Sequence, residues 1–112
     1  MDMSDQAVVV FITAGSEVEA ARIAQGLVEK RVAACVNTVS GVRSLYWWQG
    51  KMESAQELLL VVKTRSSLVP MVTDVVKRLH SYTVPEVIAL PIVGGNQQYL
   101  DWLLAETKTG TD

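Results

Sequence analysis

The chain has 112 residues, of which 49% are hydrophobic and 20% are charged, and its formal net charge is −2. This length predicts a single domain over residues 1–112, and the apolar share excludes a disordered chain. The 10 lysines and arginines are scattered, which argues against a nucleic-acid partner. The apolar runs are too short to cross a membrane, the N-terminus lacks the pattern of a signal peptide, and a single cysteine favours a reducing cytoplasm.

The first predicted elements are a buried strand and an amphipathic helix. Residues 7–14 form an unbroken run rich in β-branched side chains, which is typical of a central strand. Ser16 and, three residues later, Glu19 have the pattern of a capping box and predict the start of a helix. The apolar stripe of this helix runs to Lys30-Arg31, where two cations suit a helix C-terminus.

The next segment predicts a long β-hairpin. Its two apolar-rich arms cover about residues 32–48 and 52–63, and the turn signal Gln49-Gly50-Lys51 lies between them. The second arm contains five consecutive apolar residues at 58–62, so we expect it to be covered on both faces.

The register of this hairpin predicts two cross-strand pairs. If the hairpin closes at residues 49–51 without a bulge, Arg43 lies opposite Glu57 and Asn37 lies opposite Lys63. Such pairs are ordinary stabilisers of a sheet, and the functional alternative is that they line a ligand pocket.

The second half of the chain predicts a helix, an edge strand and a short terminal helix. Ser66 or Ser67 is expected to cap the second helix, which ends at about His80. Residues 82–91 alternate but contain Pro85, so this strand lies at an edge or pairs only beyond the proline. Asn96 can cap the last helix, and we expect the chain ends, 1–6 and 107–112, to be flexible.

The order of these elements is β-α-β-β-α-β followed by a helix. This order predicts an α+β fold of the ferredoxin-like type, with an antiparallel sheet and two helices on one of its faces. The first and third strands are expected at the centre of the sheet because they are the continuously apolar ones.

Cys35 and His80 are the candidate metal ligands. A free cysteine among small apolar residues is ordinarily a buried hydrophobe, and a histidine after a helix is ordinarily stabilised by the helix dipole. The functional alternative is a soft-metal site, such as one for Cu(I). One cysteine and one histidine per chain cannot complete a tetrahedral site, so subunits would have to share it. No nucleophile and base pattern accompanies these residues, and we expect the protein not to be an enzyme.

Trp47 and Trp48 predict an interface. Adjacent strand residues point to opposite faces of a sheet, so one sheet face cannot bury both indoles. Since tryptophan is enriched at protein interfaces, we expect the hairpin tip to contact another copy of the chain.

Six segments taken together resemble the CutA family of divalent-cation tolerance proteins, over about residues 8–102. They are RVAACVN at 31–37, SLYWWQG at 44–50, ELLLVVKT at 57–64, HSYTVPE at 80–86, PI at 91–92 and YLDW at 99–102. The family commonly has His-Pro-Tyr where this chain has His80-Ser81-Tyr82, and some copper-linked members carry additional cysteines.

The resemblance implies a ferredoxin-like homotrimer similar in architecture to the nitrogen-regulatory PII proteins, with the long hairpins pairing across subunits. It implies a role in tolerance of copper or other divalent metal ions, with such an ion as the possible ligand. The candidate residues of an intersubunit pocket are Trp48, Glu57, Lys63, Tyr82 and Pro85, with Cys35 and His80 as the candidate metal ligands.

The expected function is therefore that of a cytoplasmic trimer that binds metal ions or signals their presence. The first alternative is a PII-like sensor that holds an anionic small molecule, with Lys63 as the counter-charge. The second is a structural trimer that scaffolds a partner protein.

Overall fold

The computed structural model describes residues 5–109, which form four strands and three α-helices. The chain order is β1 (Ala7–Ala14), α1 (Glu17–Glu29), β2 (Cys35–Trp48), β3 (Lys51–Arg65), a 3-10 turn (Ser66–Leu68), α2 (Val69–Leu79), β4 (Val87–Pro91) and α3 (Gln97–Glu106). The strands form one antiparallel sheet in the order β2-β3-β1-β4. The predicted α+β fold and the central position of the first and third strands are confirmed.

The core lies between one face of the sheet and the pair α1 and α2. Along β1 and the part of β3 that pairs with it, the even-numbered side chains are buried, and all of them except Thr64 belong to a single apolar cluster with residues of both helices. This alternation places the odd-numbered residues on the opposite face. The fully buried large side chains of the cluster include Val10, Ile12, Ile23, Leu27, Leu60, Val62 and Val72.

The third helix packs at one end of the opposite face. Arg65 of β3 donates a 2.9 Å hydrogen bond to the Thr107 hydroxyl and another hydrogen bond to the Leu104 carbonyl. The same guanidinium forms a 2.6 Å ion pair with Asp5. Arg65 therefore joins both ends of the described chain to the sheet.

The predicted flexible ends fall partly on residues that the structure describes. Asp5 pairs with Arg65, and the amide of Lys108 donates a 2.9 Å hydrogen bond to the carbonyl of Arg31. Residues 1–4 and 110–112 lie outside the described part of the chain.

The hairpin is the longest feature of the molecule, which measures 47 × 25 × 23 Å. Its turn has two residues, Gln49 and Gly50, with φ of 51° and 79°. Positive φ at both positions gives the turn whose twist matches that of the flanking strands. A second glycine, Gly41 with φ of 77°, lies in a β-bulge where residues 40 and 41 together face Leu58.

These two features correct the predicted register. Arg43 pairs with Gln56 and Glu57 with Val42, while Cys35 lies opposite Lys63. The predicted pair of Arg43 with Glu57 is therefore wrong, because the turn is one residue shorter than assumed. The predicted register of Asn37 opposite Lys63 is wrong because the bulge adds a further shift, which places Asn37 opposite Val61.

Two cap predictions had different outcomes. Neither Ser66 nor Ser67 caps α2, because a 3-10 turn intervenes and Leu68 occupies the cap position without a side-chain bond. Asn96 does cap α3, accepting a 3.1 Å hydrogen bond from the amide of Gln98.

Candidate functional site

A cavity of about 680 Å³ opens between the hairpin and the loop that follows α2. This volume is in the range of small-molecule binding sites. The lining consists of residues 44–46 and Trp48 from the hairpin, residues 81–84 and Glu86 from the loop, and Thr13 and Glu57 from the central strands. The cavity therefore lies where the hairpin extends beyond β1, whose pairing with β3 ends at Ala14 and Leu58.

Glu57 and Tyr82 form the central polar contact of this cavity. Glu57 is only 7% exposed, and its Oε2 accepts a 2.9 Å hydrogen bond from the Tyr82 hydroxyl. The ring can approach because residue 15 is glycine, where an added Cβ would lie 3.3 Å from the Tyr82 oxygen. Burial and the hydrogen bond to the Glu57 carboxylate raise the pKa of Tyr82 to about 12.

His80 holds the start of the loop that follows α2 through contacts with two backbone groups. Its side chain is fully buried, and its Nε2 lies 2.7 Å from the carbonyl oxygen of Thr13. Its Nδ1 accepts a 3.0 Å hydrogen bond from the backbone amide of Tyr82, so Nε2 is the nitrogen that donates to Thr13. The imidazole thereby ties the loop to β1.

Glu19 holds the same loop to the N-terminus of α1. Its Oε2 accepts a 2.8 Å hydrogen bond from the amide of Ser81, and its Oε1 accepts a 3.2 Å hydrogen bond from the amide of Gly15. Burial alone would raise the pKa of Glu19, but hydrogen bonds from Ser81 and Gly15 outweigh it and hold that pKa below its usual value. The predicted cap contact is also present, since Ser16 accepts a 3.2 Å hydrogen bond from the Glu19 amide.

The other candidate residues lie towards the opposite end of the sheet. Cys35 is opposite Lys63, which is opposite Val9 of β1, whereas His80 contacts Thr13. Positions 9 and 13 are four steps apart, which corresponds to about 13 Å along a strand. Cys35 and His80 of one chain are therefore not neighbours.

Lys63 and Cys35 share a polar neighbour at their end of the sheet. The Lys63 ammonium donates a hydrogen bond to Asn37 Oδ1, and Cys35 Sγ lies 3.9 Å from the same oxygen. The donor set does not fit a metal centre within one chain, because residues 5–109 contain no group of three or more acidic, cysteine or histidine side chains placed to hold an ion.

The structure brings together three of the five predicted pocket residues. Trp48, Glu57 and Tyr82 line the cavity, whereas Lys63 does not and the half-buried Pro85 is not part of its lining. Sequence reasoning did not assign the lining residues Tyr46, Ser81 and Glu86. The proximity of Ser81 and Glu86 to Tyr82 in the same loop was the signal that could have identified them.

Comparisons with known proteins agree with this fold. The family model for CutA1 divalent ion tolerance protein matches residues 8–106. The divalent-cation tolerance protein CutA of Thermus thermophilus is 56% identical over 99 residues, covering 88% of this chain and 96% of that protein. The chain belongs to the CutA1 family.

Solved CutA1 structures superimpose closely on this chain. The divalent cation tolerance protein from Thermus thermophilus has a TM-score of 0.90 at 54% identity, covering 91% of this chain and 99% of that one. The CutA1 structure from Oryza sativa also has a TM-score of 0.90, at 45% identity, covering 96% of this chain and 98% of that one. The ferredoxin-like arrangement inferred from the element order is thus the arrangement of the CutA1 family.

CutA1 relatives differ in length and in location. Human protein CutA is 48% identical over 102 residues, which are 91% of this chain but 57% of the human protein. The rice relative is named as a chloroplastic protein and the Archaeoglobus fulgidus relative as a periplasmic one. Among the described residues of this CutA1 chain, no helix is both long and apolar enough to cross a membrane.

We expect the stability of this CutA1 fold to fall at alkaline pH through Tyr82. Its pKa in the folded state, about 12, lies above the ordinary 10.0, so the protonated hydroxyl stabilises the fold fully below pH 10.0. That contribution is lost as the pH rises from 10.0 towards 12. Urea unfolding across this window should give a steeper decline for the native chain than for Tyr82→Phe. Parallel declines in the two proteins would contradict the assignment.

Proposed function

We propose that the chain is a non-catalytic homotrimer that takes part in the cytoplasmic response to divalent metal ions, copper being the suggested ion. The observation that carries this proposal is the family match over residues 8–106, together with a 56% identical relative named for divalent-cation tolerance. Because the family match covers nearly all of the described residues, we propose that this chain has the role for which the family is named.

The trimer is supported by an exposed apolar surface at the hairpin tip. Trp47 is 75% exposed and pairs across the hairpin with Met52, which is also exposed. Leu45, two residues before Trp47 on the same strand, is likewise exposed. Such a patch on a protruding hairpin is costly in water and fits burial against a second copy of the chain.

Cys35 is the residue that we assign to metal binding. Both ring nitrogens of His80 already have hydrogen-bond partners inside the fold, whereas the thiol of Cys35 is half-buried and lies near Asn37. Thiolate is a preferred ligand of soft ions such as Cu(I). One thiol per chain requires that further ligands come from other subunits.

The anion-sensing alternative has less support. It requires Lys63 as a counter-charge, but the ammonium of Lys63 is hydrogen-bonded to Asn37 and does not line the cavity. Metal response is therefore the function that we propose.

The test combines a mass measurement with a metal titration of the same reduced, metal-free sample. Sedimentation should give a mass about three times the 12.3 kDa of the chain. Calorimetric titration with Cu(I), Cu(II) and Zn(II) should give saturable binding of at least one ion, which is lost in Cys35→Ala. Lys63→Ala serves as the matched control, because this neighbour across the hairpin is outside the proposed ligand set.

Two results would count against the proposal separately. A monomeric mass at micromolar concentration would refute the trimer. Heats that do not saturate, or that are unchanged in Cys35→Ala, would refute metal binding at this residue. Loss of metal binding in Lys63→Ala with retention in Cys35→Ala would likewise contradict the assignment of the metal ligand to Cys35.

A further inference from the structure

His80 is the only histidine of the chain, and its side chain is fully buried. Histidine is the side chain that ordinarily changes its charge between pH 5 and 8. In His80 the Nε2 donates to the Thr13 carbonyl, while Nδ1 accepts from the backbone amide of Tyr82 at 3.0 Å. Nδ1 is therefore the nitrogen at which this imidazole can take up a proton.

A proton on Nδ1 is incompatible with the contact to Tyr82. Both nitrogens of an imidazolium donate hydrogen bonds and neither accepts one. The Nδ1 proton would face the amide proton of Tyr82, because the two nitrogens lie only 3.0 Å apart. The contact of Nε2 with Thr13 is unaffected, since this nitrogen donates in both charge states. Protonation therefore breaks one of the two contacts by which His80 holds the loop that follows α2.

A carboxylate is placed to accept the new proton. Glu19 Oε1 lies 3.6 Å from Nδ1 of His80, and among residues 5–109 no other acidic side chain forms an ion pair with this imidazole. Burial alone would raise the pKa of Glu19, but hydrogen bonds from Ser81 and Gly15 hold that pKa below its usual value. Glu19 is therefore ionised throughout the range in which a histidine titrates.

The other surroundings of His80 act on its charge in both directions. The Tyr82 ring has its centroid 4.5 Å from that of the imidazole, and an aromatic ring at this distance attracts a cation. Glu57 adds a negative charge behind the Tyr82 hydroxyl, and β1 carries no charged side chain. Burial opposes the cation, as do Lys77 and Arg78 in the last turn of α2, but both of these side chains are exposed and their charges are screened. The charged and aromatic groups closest to the imidazole therefore favour its protonated form.

We propose that His80 is a pH-sensitive latch for the loop that follows α2. The neutral imidazole holds the Tyr82 amide; when the pH falls, Nδ1 binds a proton from solvent, turns to Glu19 and releases Tyr82. The Ser81 amide stays bound to Glu19, so the loop opens from Tyr82 onwards. The latch itself lies within one chain and needs neither a trimer nor a metal ion. Its consequence rests on the proposed function: Tyr82 is expected at an intersubunit pocket, so the latch would transmit a change in pH to the contact between subunits.

The test is an NMR titration of the native chain from pH 8 to pH 5. Because the chain has a single histidine, the imidazole signals report on His80 alone. We expect these signals to reach the values of an imidazolium. With the same midpoint, the hydrogen-exchange protection of the Tyr82 amide, corrected for the intrinsic rate, should fall by about fivefold, while that of Ser81 is retained. An imidazole that stays neutral down to pH 5, unchanged protection of Tyr82, or equal losses at Ser81 and Tyr82 would each overturn the proposal.

Two variants assign the switch to the pair of His80 and Glu19. Glu19→Gln keeps one acceptor oxygen but removes the charge, so the midpoint of the imidazole titration should move to lower pH. Glu17→Gln removes an exposed carboxylate from the first turn of the same helix and should leave the midpoint unchanged. Equal midpoints in Glu19→Gln and the native chain, or equal displacements in the two variants, would contradict the exchange of partners. The titration of the native chain remains decisive even if Glu19→Gln folds poorly.

Discussion

Replacing His80 with alanine is expected to lower the free energy of unfolding by about 3 kcal/mol. The imidazole is fully buried and bonds to the Thr13 carbonyl at 2.7 Å and to the Tyr82 amide at 3.0 Å. Removing the imidazole leaves the Thr13 carbonyl and the Tyr82 amide without this hydrogen-bond partner and opens a cavity next to the loop that follows α2. Urea unfolding followed by circular dichroism measures the loss.

Lys77→Ala is the matched control for this measurement. Lys77 lies in the last turn of the same helix but is exposed, so its truncation should change the free energy of unfolding by less than about 0.5 kcal/mol. Similar unfolding midpoints for His80→Ala and the native chain would mean that the loop is held by Glu19 without help from the imidazole.

Truncating Arg65 to alanine should cost about 2–4 kcal/mol. Its guanidinium is 13% exposed and contacts Asp5, Leu104 and Thr107. Its removal therefore takes the counter-ion from the largely buried Asp5 carboxylate and one hydrogen bond each from the Leu104 carbonyl and the Thr107 hydroxyl. Hydrogen exchange should accelerate selectively in α3, while the amides of α1 remain protected. Uniform acceleration throughout the chain would instead indicate global destabilisation without local release of α3.

Arg31→Ala provides the comparison for Arg65→Ala. Arg31 also reaches the end of α3, through a 3.0 Å ion pair with Glu106, but its side chain is 64% exposed. Exposed pairs of this kind contribute only about 0.2–1 kcal/mol. A loss in Arg31→Ala as large as that in Arg65→Ala would contradict the view that burial, rather than the number of ion pairs, fixes α3.

The pocket could be predicted from the sequence only in part. Trp48, Glu57 and Tyr82 were grouped through the family resemblance, and the structure places all three around one cavity. Lys63 was grouped with them but lies at the other end of β3. The reason is that a 15-residue strand carries same-face residues about 20 Å apart, and sequence spacing alone does not indicate which end a pocket occupies.

The pairing of residues across the hairpin could also be predicted only in part. The turn signal around Gly50 identified the hairpin, but a tight two-residue turn and the bulge at Gly41 together changed every predicted partner. When the register shifts by one residue, the residue opposite a given partner changes to one whose side chain points to the other face of the sheet. Glu57 lost its predicted partner Arg43 through the two-residue turn alone, and it lines the cavity.

The sequence by itself determined the order of the elements, the apolar faces that form the core and the two central strands, because hydrophobic periodicity and cap residues are local properties. Tertiary structure alone decided where the functional side chains meet. His80, Glu19 and Tyr82 converge only because α1 and α2 pack side by side on one face of the sheet. Contacts between residues so far apart in the chain depend on packing and register, which no local pattern encodes.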